Sequence, residues 1–486
     1  MKKILLLCIL LLFFNSALLH AKEAEFEYYA LYLNGSRCGY EIQSRQEKDG
    51  KVISKDEIFF ELERMGTSIK LNFSETAIET MEGRPLEFKA NQKASTMEMA
   101  VDGKITPDGK MKVKITNAGN TMEQTKDYPR GAVMTEGLRR VIIQKGLKYG
   151  AAYSVDVFSP SNLIVMKMTF NVGEKKQIDL LGRIVELVEV KGEYSVPGSG
   201  KSSLTYYVDD DYTFQKIIMP MAGMDVESIA CSESFARSKL EVAELVDAMV
   251  VKSPKPINDL AKVKEITYIL KPSKTDMPLS FPQTDSQKIQ IMPDKSIRLT
   301  VRAVQASRDE QFPYKGKDPE ILKALESTQY LQANHPDIIA LSKKATGGKK
   351  TALDAAREIE SFVSSYIDDK NLSVGYASAL EVAKSRQGDC TEHAVLTAAL
   401  CRAAGIPARV IMGIVYARDY IFMGHAWTEA YIGDKWVSLD AALKDVRNGF
   451  DPGHITLSIG NGDSGDFFGI MNNLGNFTIE DLEVIE

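Results

Sequence analysis

Residues 388–396, GDCTEHAVL, set a lone cysteine directly behind a glycine and an aspartate, and residues 425–440, HAWTEAYIGDKWVSLD, follow a short way downstream. The first stretch reads as a helix start. Asp389 can cap it with its side chain, and Glu392, three residues on, can reach back to complete a capping box. Cys390 is then the first helical residue, beside N–H groups that lack an intrahelical partner and at the positive end of the helix dipole. That setting favours thiolate over thiol, whose unperturbed pKa is about 8.5. Val395, Leu396, Ala399, Leu400 and Ala403 give the helix an apolar side that buries it, and Gly405 with Pro407 behind it ends it.

A thiolate nucleophile needs a base that takes a proton and later returns one to the leaving group, and histidine suits that task. Of the five histidines, His20 lies in the apolar opening of the chain, while His335 and His454 flank Pro336 and Gly453 in expected loops. His393, three residues past Cys390, reads as a hydrogen-bonded helix residue because no nearby carboxylate orients it. His425 remains. Its stretch reads as a β-hairpin around Gly433-Asp434, and a two-residue loop opposes Ile432 to Lys435 and Tyr431 to Trp436. Alternation then puts His425, Trp427, Glu429 and Tyr431 on one sheet face with Trp436, Ser438 and Asp440. His425 and Asp440 become diagonal neighbours, with Cβ atoms roughly 7 Å apart and side chains within reach. A three-residue loop would send Asp440 to the other face. Cys390, His425 and Asp440 are therefore the candidate nucleophile, proton shuttle and orienting acid. An oxyanion needs preorganised donors; the Cys390 backbone N–H is one, and Gln387, Tyr376 or another backbone group supplies the second.

In that order, RQGDCTEHAVLTAALCRAAGIPARVIMGI and GHAWTEAYIGDKWVSLD carry G-x-C, G-I-P-A-R and H-A-W elements. Together they resemble the core of the bacterial transglutaminase-like superfamily over residues 313 to 460. The resemblance implies a papain-like fold, with Cys390 as nucleophile, His425 as base and Asp440 as orienter, and acyl transfer from an amide by hydrolysis or transamidation. Two departures stand out. Ala441-Ala442-Leu443 follows Asp440 where a proline and threonine are common, and no tryptophan precedes Cys390, so the indole oxyanion donor of animal transglutaminases is missing.

The rest of the chain reads differently. From residue 25 to 235 apolar and polar residues alternate, as in SIKLNF (68–73), MKVKIT (111–116) and MKMTFNV (166–172), with Asn34-Gly35, Asp49-Gly50 and Asp108-Gly109 between runs. One helix interrupts, TEGLRRVIIQK, stopped by Gly146. This pattern resembles the curved sheets of periplasmic lipoprotein carriers. The expected class is α+β: residues 22–249 as a large antiparallel β domain, 250–312 as a proline-marked linker with a small β-rich region, and 313–486 as the transglutaminase-like domain.

The opening MKKILLLCILLLFFNSALLHA has two lysines, an apolar run and a final alanine, which reads as a secretory signal over residues 1–21. The run is shorter than the roughly 20 residues that span a bilayer, so a periplasmic or extracellular chain with no stable membrane span is expected. A net charge of −6 with no long basic cluster argues against a nucleic-acid partner. Cys38 and Cys231 could pair in an oxidising compartment but read as two separate buried thiols. Cys390 and His393 have no second ligand pair, no H-E-x-x-H is present, and Asp463 and Asp466 lack calcium-hand spacing, so no metal and no cofactor is expected. Two functions follow from these readings. One is an exported thiol enzyme acting on a protein or peptide of the cell envelope. The other is a non-catalytic envelope protein that keeps the fold while the β domain holds a lipid or peptide.

Overall fold

The structure, a computed structural model, describes residues 23–64, 67–94, 97–117, 119–196, 200–221, 224–240, 243–244, 250–273, 279–370, 377–417, 420–460 and 473–486. The expected signal segment and the acidic loop at Asp463 and Asp466 lie outside the described residues.

Between Glu25 and Cys231 the alternating runs build one curved, antiparallel sheet. The strands up to Asp127 each pair with the next, as do those from Ala152 onward, and the two runs meet where Glu25–Leu33 pairs with Met224–Cys231. Asn34, Gly35, Asp49 and Gly50 take positive φ at the expected hairpin turns. The interrupting helix spans Thr135–Lys145 and ends at Gly146. Its N-cap, Met134, has no capping side chain; Glu79 of the sheet instead accepts the N–H groups of Glu136 and Gly137 at 2.6 and 3.0 Å. Phe88, Met99, Val101, Met111, Val113 and Phe158 form one core on this sheet, and Tyr330 from the C-terminal half inserts into it, 4% exposed. Cys38 and Cys231 are not bonded to each other. The Cys38 thiol is buried against Leu31 O, and Cys231 sits opposite Tyr28.

The proline-marked stretch is not a loose linker. Val250–Lys252 adds an edge strand to the sheet of the C-terminal half, with Val251 opposite Phe422. Glu265–Pro272 lies between Ile297–Arg302 and the final strand, Phe477–Ile485. The small β-rich region thus shares a sheet with the end of the chain. It also shares a core with it, in which Ile266, Tyr268, Leu270 and Leu299 meet Ile414, Phe422, Ile455 and Leu482. These partners are far apart in sequence, where local periodicity carries no information about pairing.

Helices Pro336–Ala345, Ala352–Tyr366, Ala379–Ser385 and Cys390–Ala403 follow, and the last is the pivot of the domain. Val395, Leu396, Ala398, Ala399 and Leu400 are fully buried in the core it shares with the other helices and with the strands Ala408–Tyr416, Ile421–Ile432 and Lys435–Leu439. Burial of each large aliphatic side chain contributes about 1.5–3 kcal/mol. A helix enclosed from its second turn onward therefore holds its first turn, and Cys390 with it, in a fixed place.

Candidate active site

The helix start has the capping box its sequence predicts. Asp389 accepts the N–H of Thr391 at 2.9 Å, and Glu392 Oε2 accepts the N–H of Asp389 at 2.9 Å. Glu392 does more than close the box. It is fully buried, and its Oε1 accepts the N–H of Ala377 at 2.8 Å, which ties the preceding segment to the turn that carries the cysteine. Burial, reinforced by the charge of Asp389, pushes the Glu392 carboxyl well above its ordinary range, and the two N–H donors oppose that shift. Gly388 has φ +150°, and a Cβ there would meet Glu392 Cβ and Cγ at 2.3 Å. The glycine of G-D-C thus lets the glutamate fold back beneath the loop. Cys390 itself is half-buried and in no disulfide.

The hairpin adopts the two-residue register: Ile432 opposes Lys435, Tyr431 opposes Trp436, and Gly433 and Asp434 both take positive φ, as a type I′ turn requires. His425, 8% exposed, and Asp440, 0% exposed, meet with Nε2 and Oδ2 2.9 Å apart. Thr428 Oγ1 donates to Ala394 O at 2.8 Å, which sets the histidine strand alongside the early turns of the cysteine helix. With Nε2 committed to Asp440, Nδ1 is the ring nitrogen left for proton exchange. The Asp440 backbone N–H donates to Glu360 Oε1 at 2.7 Å, and Glu360 is held in turn by Arg357 and Lys444 at 3.1 and 3.2 Å. Burial works against the Asp440 charge, but the imidazoles of His425 and His454 outweigh it and hold the carboxyl far below its usual range.

His454 is the residue that sequence reasoning placed elsewhere. It opens the buried strand His454–Gly460 rather than lying in a loop, and its Nε2 is also 2.9 Å from Asp440 Oδ2. On the other side of the ring, Nδ1 lies 2.9 Å from the Asp451 carbonyl, and Arg447 grips the Asp451 carboxylate with two 2.9 Å bonds. The one local signal is a turn, Asp451-Pro452-Gly453, feeding an apolar strand. It marks His454 as a strand residue without showing what it faces.

The other sequence candidates separate. Gln387 has an exposed side chain, and its backbone N–H donates to Ser385 Oγ at 3.3 Å. Tyr376 lies outside the described residues. His393 is buried, with Nδ1 2.6 Å from Asp389 O, and burial pushes its pKa down, in keeping with a neutral helix residue. Arg409 pairs with Glu429 at 2.6 Å and lies 4.0 Å over the Trp436 ring, which makes both structural. His425, Asp440 and His454 bring one ligand atom each within 4.8 Å of one another, a spacing that could hold a metal ion. In this arrangement both Nε2 atoms lie at N–H···O distance from one carboxylate oxygen, so those atoms are committed to each other.

Residues 339–441, in the C-terminal part of the chain, match the family model of the transglutaminase-like superfamily. Among solved structures, one similar chain is a "Putative Cysteine Protease" from Cytophaga hutchinsonii, 20% identical, covering 49% of this chain and 86% of that one, with a TM-score of 0.31. Another is a beta-barrel-like protein from Brucella abortus, 15% identical, covering 43% of this chain and 95% of that one, with a TM-score of 0.34. No curated protein matches.

Proposed function

We propose that this chain is an exported, cysteine-dependent enzyme that acts on peptide or side-chain amide bonds through a Cys390 thioester. The observation that carries the reading is the 2.9 Å pairing of His425 Nε2 with Asp440, on a strand tied to the early turns of the Cys390 helix. It fixes which imidazole nitrogen is available. In the reaction, Cys390 Sγ attacks the amide carbon and the C–N bond breaks. The proton that left the thiol passes from His425 to the departing amine. Water or an amine then attacks the thioester, His425 takes its proton, and the acyl group leaves sulfur as an acid or a new amide. Asp440 stabilises the imidazolium in both halves. The helix-start N–H of Cys390 is the natural first oxyanion donor.

Export is supported by the charged and apolar opening of the sequence. Among the described residues no helix is long and apolar enough to cross a membrane. The acyl donor is then a protein or peptide of the cell envelope, which the N-terminal sheet would present or recognise. A thiol-directed electrophile tests the chemistry: Cys390 should be labelled well below pH 8, and His425→Ala should slow that labelling sharply. Alkaline-only reactivity, the same with and without His425, would favour a binding module that keeps the fold. Mass spectrometry of envelope proteins exposed to wild type or Cys390→Ala then separates new termini, deamidated glutamines and isopeptide links.

A further inference from the structure

We propose that His454 is a positioning residue for this site: as an imidazolium it clamps Asp440 Oδ2 beside His425 and offsets the carboxylate charge, so that His425 can release its proton to a leaving amine. The inference rests on the reading of Cys390, His425 and Asp440 given above, and it follows from counting donors and acceptors. Asp440 Oδ2, 2.9 Å from His454 Nε2, is a carboxylate oxygen and can only accept. The Asp451 carbonyl, 2.9 Å from Nδ1, can only accept as well. The Asp451 backbone N–H also points at Nδ1, but from 3.4 Å, a longer and weaker contact than the 2.9 Å one to the carbonyl. The shorter contact decides: both ring nitrogens carry hydrogen and His454 is a cation. Burial opposes that charge, yet Asp440 and Asp451 outweigh it and raise the proton affinity of the ring.

Every charged group around the ring fits this assignment. Asp440 stands on one side, Asp451 with its bound Arg447 on the other, and the His425 ring lies 5.7 Å away. Trp427 and Phe450 close the remaining faces, with centroids at 5.1 and 4.6 Å, and the Tyr268 hydroxyl donates to Pro452 O nearby. Glu360, neutralised by Arg357 and Lys444, touches Asp440 from behind. His454, Asp440, Asp451 and Arg447 then sum to zero charge. The compensated carboxylate still aims the His425 ring, through the same 2.9 Å bond.

Histidine-selective nitrogen labelling with NMR tests this without a substrate, in a Cys390→Ala background that removes the thiol. At neutral pH His454 should show two protonated nitrogens. His454→Gln, which removes the charge, should raise the pH at which His425 takes up its second proton by about two units. That is the size expected for a unit charge 5.7 Å away at an effective dielectric constant of about 20. If His454→Gln does not fold, Asp451→Asn serves instead, and there His454 should lose its second proton at lower pH. A His454 with one bare nitrogen at neutral pH, an unmoved His425 titration, or one equivalent of metal held by wild type and lost with His454 would each overturn the proposal. None of these readouts depends on Cys390, so the acyl-transfer reading stands or falls separately, on the labelling of its thiol.

Discussion

Replacing Asp440 by asparagine removes the charge but keeps the shape, and the structure lets both consequences be sized. Asp440 accepts three hydrogen bonds, from His425 and His454 at Oδ2 and from the Leu443 N–H at Oδ1, 3.1 Å away. Asparagine has one carbonyl oxygen. With that oxygen kept toward the imidazoles, its NH2 faces the Leu443 N–H and leaves a donor unpaired, a cost of about 1–3 kcal/mol. The two imidazole bonds also lose a charged acceptor, each falling from about 1.5–3 to about 1 kcal/mol. The loss of stability should be on the order of 3–5 kcal/mol, in line with removal of one partner from a buried ion pair. The thiol is affected too. Asparagine withdraws the Asp440 attraction for an imidazolium at His425, on the order of 4 kcal/mol at an effective dielectric constant of about 20, while the His454 charge still repels it. Electrophile labelling of Cys390, resolved from the other cysteines by peptide mass spectrometry, should slow by at least about tenfold on its acid limb. Amide turnover should fall further, by roughly 10³–10⁴, because proton delivery needs the correct tautomer as well as the charge. Urea unfolding followed by tryptophan fluorescence gives the stability. An unchanged midpoint together with an unchanged labelling profile would refute the role assigned to this carboxylate.

Three further outcomes follow from the same contacts. Gly388→Ala places a methyl 2.3 Å from the Glu392 side chain, displaces the acceptor of the Asp389 and Ala377 N–H groups, and should cost about 2–4 kcal/mol in urea unfolding while slowing Cys390 labelling. Stability should fall at both ends of the pH scale. Asp451, held low mainly by His454 and Arg447 against burial, contributes above its unfolded pKa of about 3.9 and loses that contribution as pH drops through its folded value; His454, held high, contributes below about 6.5 and loses it as pH rises through its folded value. Urea midpoints across pH should show both falls in wild type and no histidine-linked alkaline fall in His454→Gln. Finally, burial pushes the Cys38 thiol up to about 11 and the Cys401 thiol up to about 12, so neutral-pH labelling that reached either one as fast as Cys390 would contradict the packing of both.

What the sequence disclosed about this site is what short-range geometry controls. The capping box needs only Asp389 and Glu392 three positions apart, and the hairpin register needs only a glycine and an aspartate that tolerate positive φ, so the meeting of His425 with Asp440 could be worked out from spacing. The N-terminal sheet was legible for the same reason, since each strand up to Asp127 pairs with its sequence neighbour. His454 was not, because its partners Asp440 and Asp451 lie across a turn and on another strand, and no periodicity says which buried face a histidine shares. Nor was Glu360, a helix residue that holds a backbone N–H from a distant strand end. The second oxyanion donor is open for a different reason: it depends on loop backbone orientation, which residue identity does not encode.

The same contacts bear on what the N-terminal sheet does for the chemistry. Tyr330 is packed into that sheet's core, and the Gln329 carbonyl beside it accepts the Asn117 side-chain amide at 3.3 Å. The Tyr330 carbonyl accepts the N–H of Ala379 at 2.8 Å, and Gln332 Oε1 accepts that of Leu380 at 3.2 Å. Two residues earlier, Ala377 donates to Glu392, which holds the N–H of Asp389 next to Cys390. Five hydrogen bonds and one buried aromatic ring thus run from the sheet to the turn that carries Cys390. That turn is packed and hydrogen-bonded, through these residues, onto the N-terminal sheet. The edge strand Val250–Lys252 and the final strand Phe477–Ile485 complete the packing of the C-terminal half, pairing with Ile421–Ile432 and Glu265–Pro272.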